Sequence, residues 1–183
     1  MKIYLTELNA YSSCGSLQGR NLLKYGLHNS LGISLEETEI AANSFGKPFL
    51  KEYSHVKFNI SHCDGLVVCG IAANDIGIDV EKIRPFHWNV AKRVCGEEEL
   101  NSIYKSSSPE KQFFSYWTLK ESLGKAMGVG INYKMKDTDF KIEGKNIFSN
   151  ISGFYFQLYE VFNKYLLAVC LRKHDLNIEL KEE

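Results

Sequence analysis

The chain has 183 residues, and its 22 Lys+Arg are balanced by 22 Asp+Glu. That balance argues against a broad grip on nucleic acid, which calls for a basic domain, and no apolar run approaches the roughly 20 residues of a membrane-spanning helix. The first eight positions carry Lys2 and Glu7 with no apolar stretch and small-residue cleavage site behind them, so no secretory leader is expected and the expected compartment is the cytoplasm.

The chain opens with a strand pattern near Ile3 to Leu8. A helix follows from about Ser16 to Leu31, where Leu22, Leu23, Leu27 and Leu31 recur at helical spacing and Gly32 supplies a stop. Ser34 and Glu37 have the spacing of a capping box, and Phe45-Gly46-Lys47-Pro48 is a turn signal. Three strands are then read at Val56 to Ser61, Leu66 to Ala73 and Ile76 to Glu81, with turns at Asp64-Gly65 and Asn74-Asp75 that suggest an antiparallel meander. Pro85 interrupts the periodicity, which places a linker at 83–87 between an N-terminal half, 1–82, and a C-terminal half, 88–183.

In the second half helices are expected at about Trp88 to Cys95, Glu97 to Tyr104 and Pro109 to Met127. Pro109 suits a first turn and Gly128 a C-terminal stop. Strands are expected at Asp139 to Glu143, Gly153 to Val161 and Tyr165 to Arg172, and Glu179 to Glu183 reads as a frayed tail. The class is α+β. No residue-level repeat of fixed period appears. Five cysteines, odd in number and without C-x-x-C spacing, read as reduced thiols, with Cys69 and Cys170 in the core.

Several residues break these patterns. In Gly77-Ile78-Asp79-Val80-Glu81 the two carboxylates share a strand face opposite Ile78 and Val80. Like charges about 7 Å apart repel unless a cation sits between them, so the pair suits either a solvated face or a hard-cation site such as Mg²⁺. Ser61 and His62 fall at a strand end, where alternation sends their side chains to opposite faces and disfavours a nucleophile–base pair. On the helix 109–127, Lys120 lies within the apolar face of Phe113, Tyr116, Leu119, Leu123 and Met127. Glu121 and Lys125 follow Trp117 at a spacing that fits a surface ion pair or a site. Gly128-Val129-Gly130 matches no dinucleotide fingerprint, and no Gly-Lys-Ser/Thr loop exists.

Four motifs, Phe45-Gly46-Lys47-Pro48, Phe58-Asn59-Ile60-Ser61-His62, Ile76-Gly77-Ile78-Asp79-Val80-Glu81-Lys82 and Phe113-Phe114-x-x-Trp117-Thr118-x-Lys120-Glu121-x-x-x-Lys125-x-x-Gly128, occur in one order. Together they resemble the Sfp-type 4′-phosphopantetheinyl transferase family, in a variant with a shorter segment before the first long helix. The resemblance implies a pseudo-twofold pair of α/β halves, each with a helix packed on a small antiparallel sheet, and coenzyme A in the cleft between them. It implies that Lys47, Pro48, Ser61 and His62 contact the nucleotide end of coenzyme A, with Arg20 or Lys24 standing in for basic residues of the shorter start. It further implies that Asp79, Glu81 and Glu99 hold Mg²⁺, or alternatively Mn²⁺, that Glu121 is the general base, and that Lys125 and Lys120 bind phosphate. The implied activity is transfer of 4′-phosphopantetheine to a serine of an apo acyl or peptidyl carrier protein by a monomer, with docking at about Gly128 to Lys136. The alternative is a non-catalytic homologue that binds coenzyme A or a carrier.

Overall fold

The computed structural model describes residues 1–8, 15–129, 134–172 and 178–182. In chain order its elements are β1 (Lys2–Glu7), α1 (Gly15–Leu31), β2 (Ile40–Ala42), β3 (Pro48–Leu50), β4 (Lys57–Cys63), β5 (Leu66–Ala72) and β6 (Ile76–Lys82). They continue with α2 (Trp88–Val94), α3 (Glu97–Lys105), α4 (Pro109–Met127), β7 (Phe140–Glu143), β8 (Asn146–Ser149), β9 (Tyr155–Val161), β10 (Tyr165–Leu171) and β11 (Glu179–Glu182).

Two near-continuous apolar strands organise the core. β5 and β10 are buried along their whole length, which requires cover on both faces. β5 lies in a sheet of order β11-β1-β5-β4, and β10 is the middle of β6-β10-β9. The sheets face each other across Ile3, Leu5, Leu66 and Val68 from the first and Ile76, Ile78, Val80, Leu167 and Val169 from the second. The outer face of the first sheet carries Tyr4, Val67, Cys69 and Ile71 against Leu22, Leu23 and Leu27 of α1. The outer face of the second carries Leu166, Ala168 and Cys170 against Phe113, Tyr116, Leu119 and Leu123 of α4. The result is four layers, helix, sheet, sheet, helix, with alternate residues of each central strand feeding a different core. Cys69 and Cys170 are fully buried there, as their apolar context predicts.

The layers repeat in the chain. Among the described residues each unit runs strand, helix, a 3₁₀ turn (Leu35–Glu37 and Met135–Asp137), a small hairpin (β2-β3 and β7-β8) and a long hairpin (β4-β5 and β9-β10). In each, the opening strand pairs antiparallel with the last one, β1 with β5 and β6 with β10. The second unit inserts α2 and α3 between its strand and its helix. This is the α+β, pseudo-twofold arrangement the motifs imply, with a helix on each small sheet.

Strand pairing corrects several expectations. The meander stops at β5, because β6 pairs with β10 of the other sheet, so Asn74-Asp75 is a crossing between sheets and not a hairpin turn. The expected linker at 83–87 follows β6, whose ladder among the described residues is with β10 of the expected second half. The expected tail Glu179 to Glu183 contains β11, which pairs parallel with β1 from Lys2 to Leu5. Ser34 makes no capping bond; its hydroxyl reaches Glu36 instead, and only a 3₁₀ turn forms. α4 begins and ends as read, with Pro109 in its first turn and Gly128 at φ 69° donating to the Gly124 carbonyl.

Gly77 sets how closely α4 approaches β6. A Cβ there would stand 1.9 Å from the Ser122 carbonyl oxygen and 2.3 Å from the Ala126 nitrogen, both backbone atoms that no rotamer change can clear. Gly77→Ala is expected to cost about 3 kcal/mol or more in urea unfolding by overpacking. Gly144→Ala, at φ 60° in open space, should cost only the left-handed strain of about 1–2 kcal/mol.

Candidate active site

The close approach at Gly77 brings the polar side of β6 against α4. Ile76, Ile78 and Val80 enter the inter-sheet core, so Gly77, Asp79 and Glu81 face the helix, as strand alternation predicts. Glu121 and Lys125, one turn apart, meet them. The Lys125 ammonium lies 2.6 Å from Asp79 Oδ1 and donates at 3.0 Å to Ser61 Oγ, while the Ser61 hydroxyl donates at 3.0 Å to the same Oδ1. Asp79 is 5% exposed. Its Oδ2 is buried with no hydrogen-bond partner among the described residues.

β4 supplies the other half of this junction. One edge of β6 pairs with β10; on the other, the Ile78 N–H donates to Asn59 Oδ1 at 2.8 Å and the Val80 N–H to Ser61 Oγ at 3.2 Å. Asn59 and Ser61 thus replace a missing neighbouring strand. Two bonds accepted and one donated exhaust the Ser61 hydroxyl. His62 points the other way, exposed and beside the start of α1, where a Cβ on Gly15 would lie 2.8 Å from its ring. The structure therefore separates Ser61 from His62.

A cleft of about 530 Å³ opens at this junction, lined by Phe45, Lys47 and Pro48 from the first unit, Asn59 of β4, Glu121 and Lys125 of α4, and Met135. Lys47 is a wall residue whose ammonium donates to the Ile76 carbonyl at 3.0 Å and the Ala126 carbonyl at 3.1 Å. It thereby caps the C-terminal end of α4. Asn43 adds a bond to the Gly128 carbonyl and holds the turn through the Phe45 and Lys47 N–H groups. Burial lowers the Lys47 pKa, with Asp75 opposing.

Burial dominates the carboxyls. It pushes Asp79 up to about 6 against the pull of Lys125, with Glu121 and Glu81 adding to the rise. Glu121 is raised by burial too, Lys125 opposing and Glu81 adding. Glu81 is held at 2.7 Å by Arg84, whose guanidinium lies 4.7 Å from the centre of the Phe114 ring. Neither Asn59 nor Arg84 was among the residues singled out from sequence. The only signal for Arg84 is its place three residues after Glu81 and before a proline that keeps the chain extended.

Two expected site residues lie elsewhere. Glu99, expected as a metal ligand, is 1% exposed, and Lys120, expected on phosphate, is 0% exposed; they pair with each other at 2.8 Å. Glu99 also accepts the Gly96 and Phe140 N–H groups, so both its oxygens already have partners in the core. Among the described residues no three acidic, His or Cys side chains are grouped to hold a metal. Of the expected docking segment, 130–133 lie outside the described residues, and Lys134 and Lys136 are exposed.

Since Lys125 holds the Asp79 pKa down, Lys125→Met should move the carboxyl's titration above about 6, read by carboxyl NMR. A folded pKa raised above the ordinary 3.8 means the native state loses stability as pH rises from about 4 through 6; in the variant that loss should extend to higher pH. Ser61→Ala, which leaves the Val80 N–H unpaired, should cost about 1–3 kcal/mol in chemical unfolding.

Against known proteins, the model of the 4′-phosphopantetheinyl transferase superfamily matches residues 75–170, just over half of the 183. A 4′-phosphopantetheinyl transferase of Bacillus subtilis is 26% identical over 176 residues, covering 91% of this chain and 78% of that protein. One from Aneurinibacillus migulanus is 35% identical over 130 residues, covering 70% and 54%. Among solved structures, a holo-(acyl-carrier-protein) synthase from Bacillus anthracis in complex with CoA (3′,5′-ADP) aligns with TM-score 0.47 at 19% identity, over 53% of this chain and 93% of that one. The matched stretch opens at the crossing into β6 and closes within β10, the span of the second structural unit, and the chain belongs to the 4′-phosphopantetheinyl transferase superfamily.

Proposed function

We propose that this protein transfers the 4′-phosphopantetheine group of coenzyme A to a serine of an apo acyl or peptidyl carrier protein and releases 3′,5′-ADP. The observation that carries the reading is the convergence of Glu121, Lys125 and the Lys47-Pro48 turn on one cleft, beside a buried carboxylate with an unpartnered oxygen. Both walls come from one chain, which supports a site complete in a monomer. No described helix is long and apolar enough to cross a membrane, in keeping with a cytoplasmic enzyme.

A serine hydroxyl is a weak nucleophile. Glu121, whose pKa burial raises, is suited to take its proton as the oxygen attacks the β-phosphorus of coenzyme A. The new P–O bond forms to serine while the bond from β-phosphorus to the bridging oxygen breaks, and 3′,5′-ADP departs with that oxygen. Lys125 offers a mobile point charge to the pyrophosphate. It is one turn from the base and reaches back to Asp79 and Ser61. Lys47 shapes the wall for the nucleotide end and fixes the end of α4.

The donor set suits a divalent cation. Oxygen ligands are those Mg²⁺ prefers, Asp79 Oδ2 has no hydrogen-bond partner among the described residues, and Asp79 and Glu81 share one face of β6. Asp79 and Glu81 would hold the ion, Mg²⁺ or Mn²⁺, whose chemistry is to neutralise phosphate charge. Glu99 is not part of this set.

The test is the intact mass of an apo carrier protein incubated with this protein, coenzyme A and Mg²⁺, beside Glu121→Gln. A gain of one phosphopantetheine arm, slowed about 10²–10⁴-fold in the variant, is the expected result. Coenzyme A binding without any gain across several carriers would overturn transfer in favour of a non-catalytic homologue.

A further inference from the structure

The Glu99–Lys120 pair is the most completely buried charge pair in the described structure, and it joins four segments. Glu99 comes from the first turn of α3 and Lys120 from the middle of α4. The Lys120 ammonium donates to the Met135 carbonyl at 2.9 Å and to the Thr138 carbonyl, and lies 2.8 Å from Glu99 Oε2. The two carbonyls take two of its three N–H donors, and the ion pair with Glu99 holds the ammonium at full burial. Glu99 Oε1 accepts the Phe140 N–H at 2.9 Å and Oε2 the Gly96 N–H at 2.8 Å. A pair so enclosed is weak evidence for stability, because desolvation of both charges offsets their attraction. Its geometry accounts for it better. The turn Met135–Asp137 has no buried residue of its own, yet Met135 lines the cleft with Glu121 and Lys125.

We propose that Glu99 and Lys120 are positioning residues. They pin the Met135 carbonyl to α4, and with it the cleft wall that faces the Lys47-Pro48 turn, at the register where Glu121 and Lys125 point into the same space. Neither touches substrate. Lys120 is 0% exposed and does not line the cleft; it meets the wall through the Met135 carbonyl. The inference rests on the reading of the cleft as the coenzyme A site.

Lys120→Met alone leaves Glu99 buried and unpaired and should unfold readily. The informative variant is therefore Glu99→Gln/Lys120→Met, which removes both charges together and should recover the melting temperature lost in the single variant. In that folded double variant the KM for coenzyme A should rise about tenfold, a fraction of what an ångström of misplacement can cost, while kcat stays within about threefold. Amide exchange should quicken across residues 135–140. The affinity gap to the unaltered chain should persist as salt is raised, because no ion contact with the ligand has been removed.

An unchanged KM in the folded double variant would overturn the inference and leave the pair as packing. A gap that closes at high salt would overturn it in favour of a direct phosphate contact. Failure of the unaltered chain to bind coenzyme A would overturn the reading of the cleft, and this inference with it.

Discussion

A strand buried between two layers must find a partner for every backbone N–H, and among the described residues β6 has a paired strand on one edge only. The Ile78 and Val80 donors on its free edge would each cost a few kcal/mol if left dry. Asn59 and Ser61 of β4 meet them from the other sheet. That one requirement fixes the register between the two units. It also draws two polar side chains into a place where apolar ones would pack as well, and leaves the Ser61 hydroxyl beside Asp79. The chemistry of the cleft is built on the device that joins the sheets.

The same junction explains the perturbed carboxyls. Gly77 admits the α4 backbone so closely that Asp79, two residues on, is sealed beneath the helix and its charge is disfavoured. Lys125 offsets part of that cost from above and Ser61 part from below. At the far end of the helix, Lys47 and Asn43 reach across from the first unit to cap α4 at Ala126 and Gly128. α4 is thereby tied to the first unit beside the very turn of helix that carries Lys125.

Much of this is legible in the sequence where local pattern and tertiary role agree. The strands β4, β5, β6, β9 and β10, the ends of α4, and the common face of Asp79 and Glu81 follow from period-2 alternation, Pro109 and Gly128. What was not legible depends on non-local pairing. Asn74-Asp75 looks like a hairpin turn because turn chemistry does not say which strand comes next to which. β11 looks like a frayed end, since its four exposed residues bury little and are ordered through pairing with β1. The short strands β2, β3 and β8 carry too few residues for alternation to register. Asn59 was hidden for a different reason: a polar residue inside a strand motif gives no hint that its partner is a backbone N–H nineteen residues away.

Lys120, Glu121 and Lys125 show how far a motif goes without the fold around it. Five residues of helix turn Lys125 about 140° away from Lys120, enough to send one ammonium to a sealed pocket and the other to the rim of a cleft. In sequence both are lysines flanking an acid, and both suit a phosphate. In the folded chain Lys120 is 0% exposed, bonded to two carbonyls and paired with Glu99, whereas the Lys125 side chain is 28% exposed and holds Asp79 and Ser61. Lys125 lines the cleft and can turn to a ligand, because Asp79, which it would leave, keeps the Ser61 hydroxyl and, raised to about 6, can take up a proton. Lys120 cannot, since withdrawing it would strand the Glu99 carboxylate in the core. Their difference lies in what each would leave behind, and that is set by α3 and the turn at Met135, segments outside the motif itself.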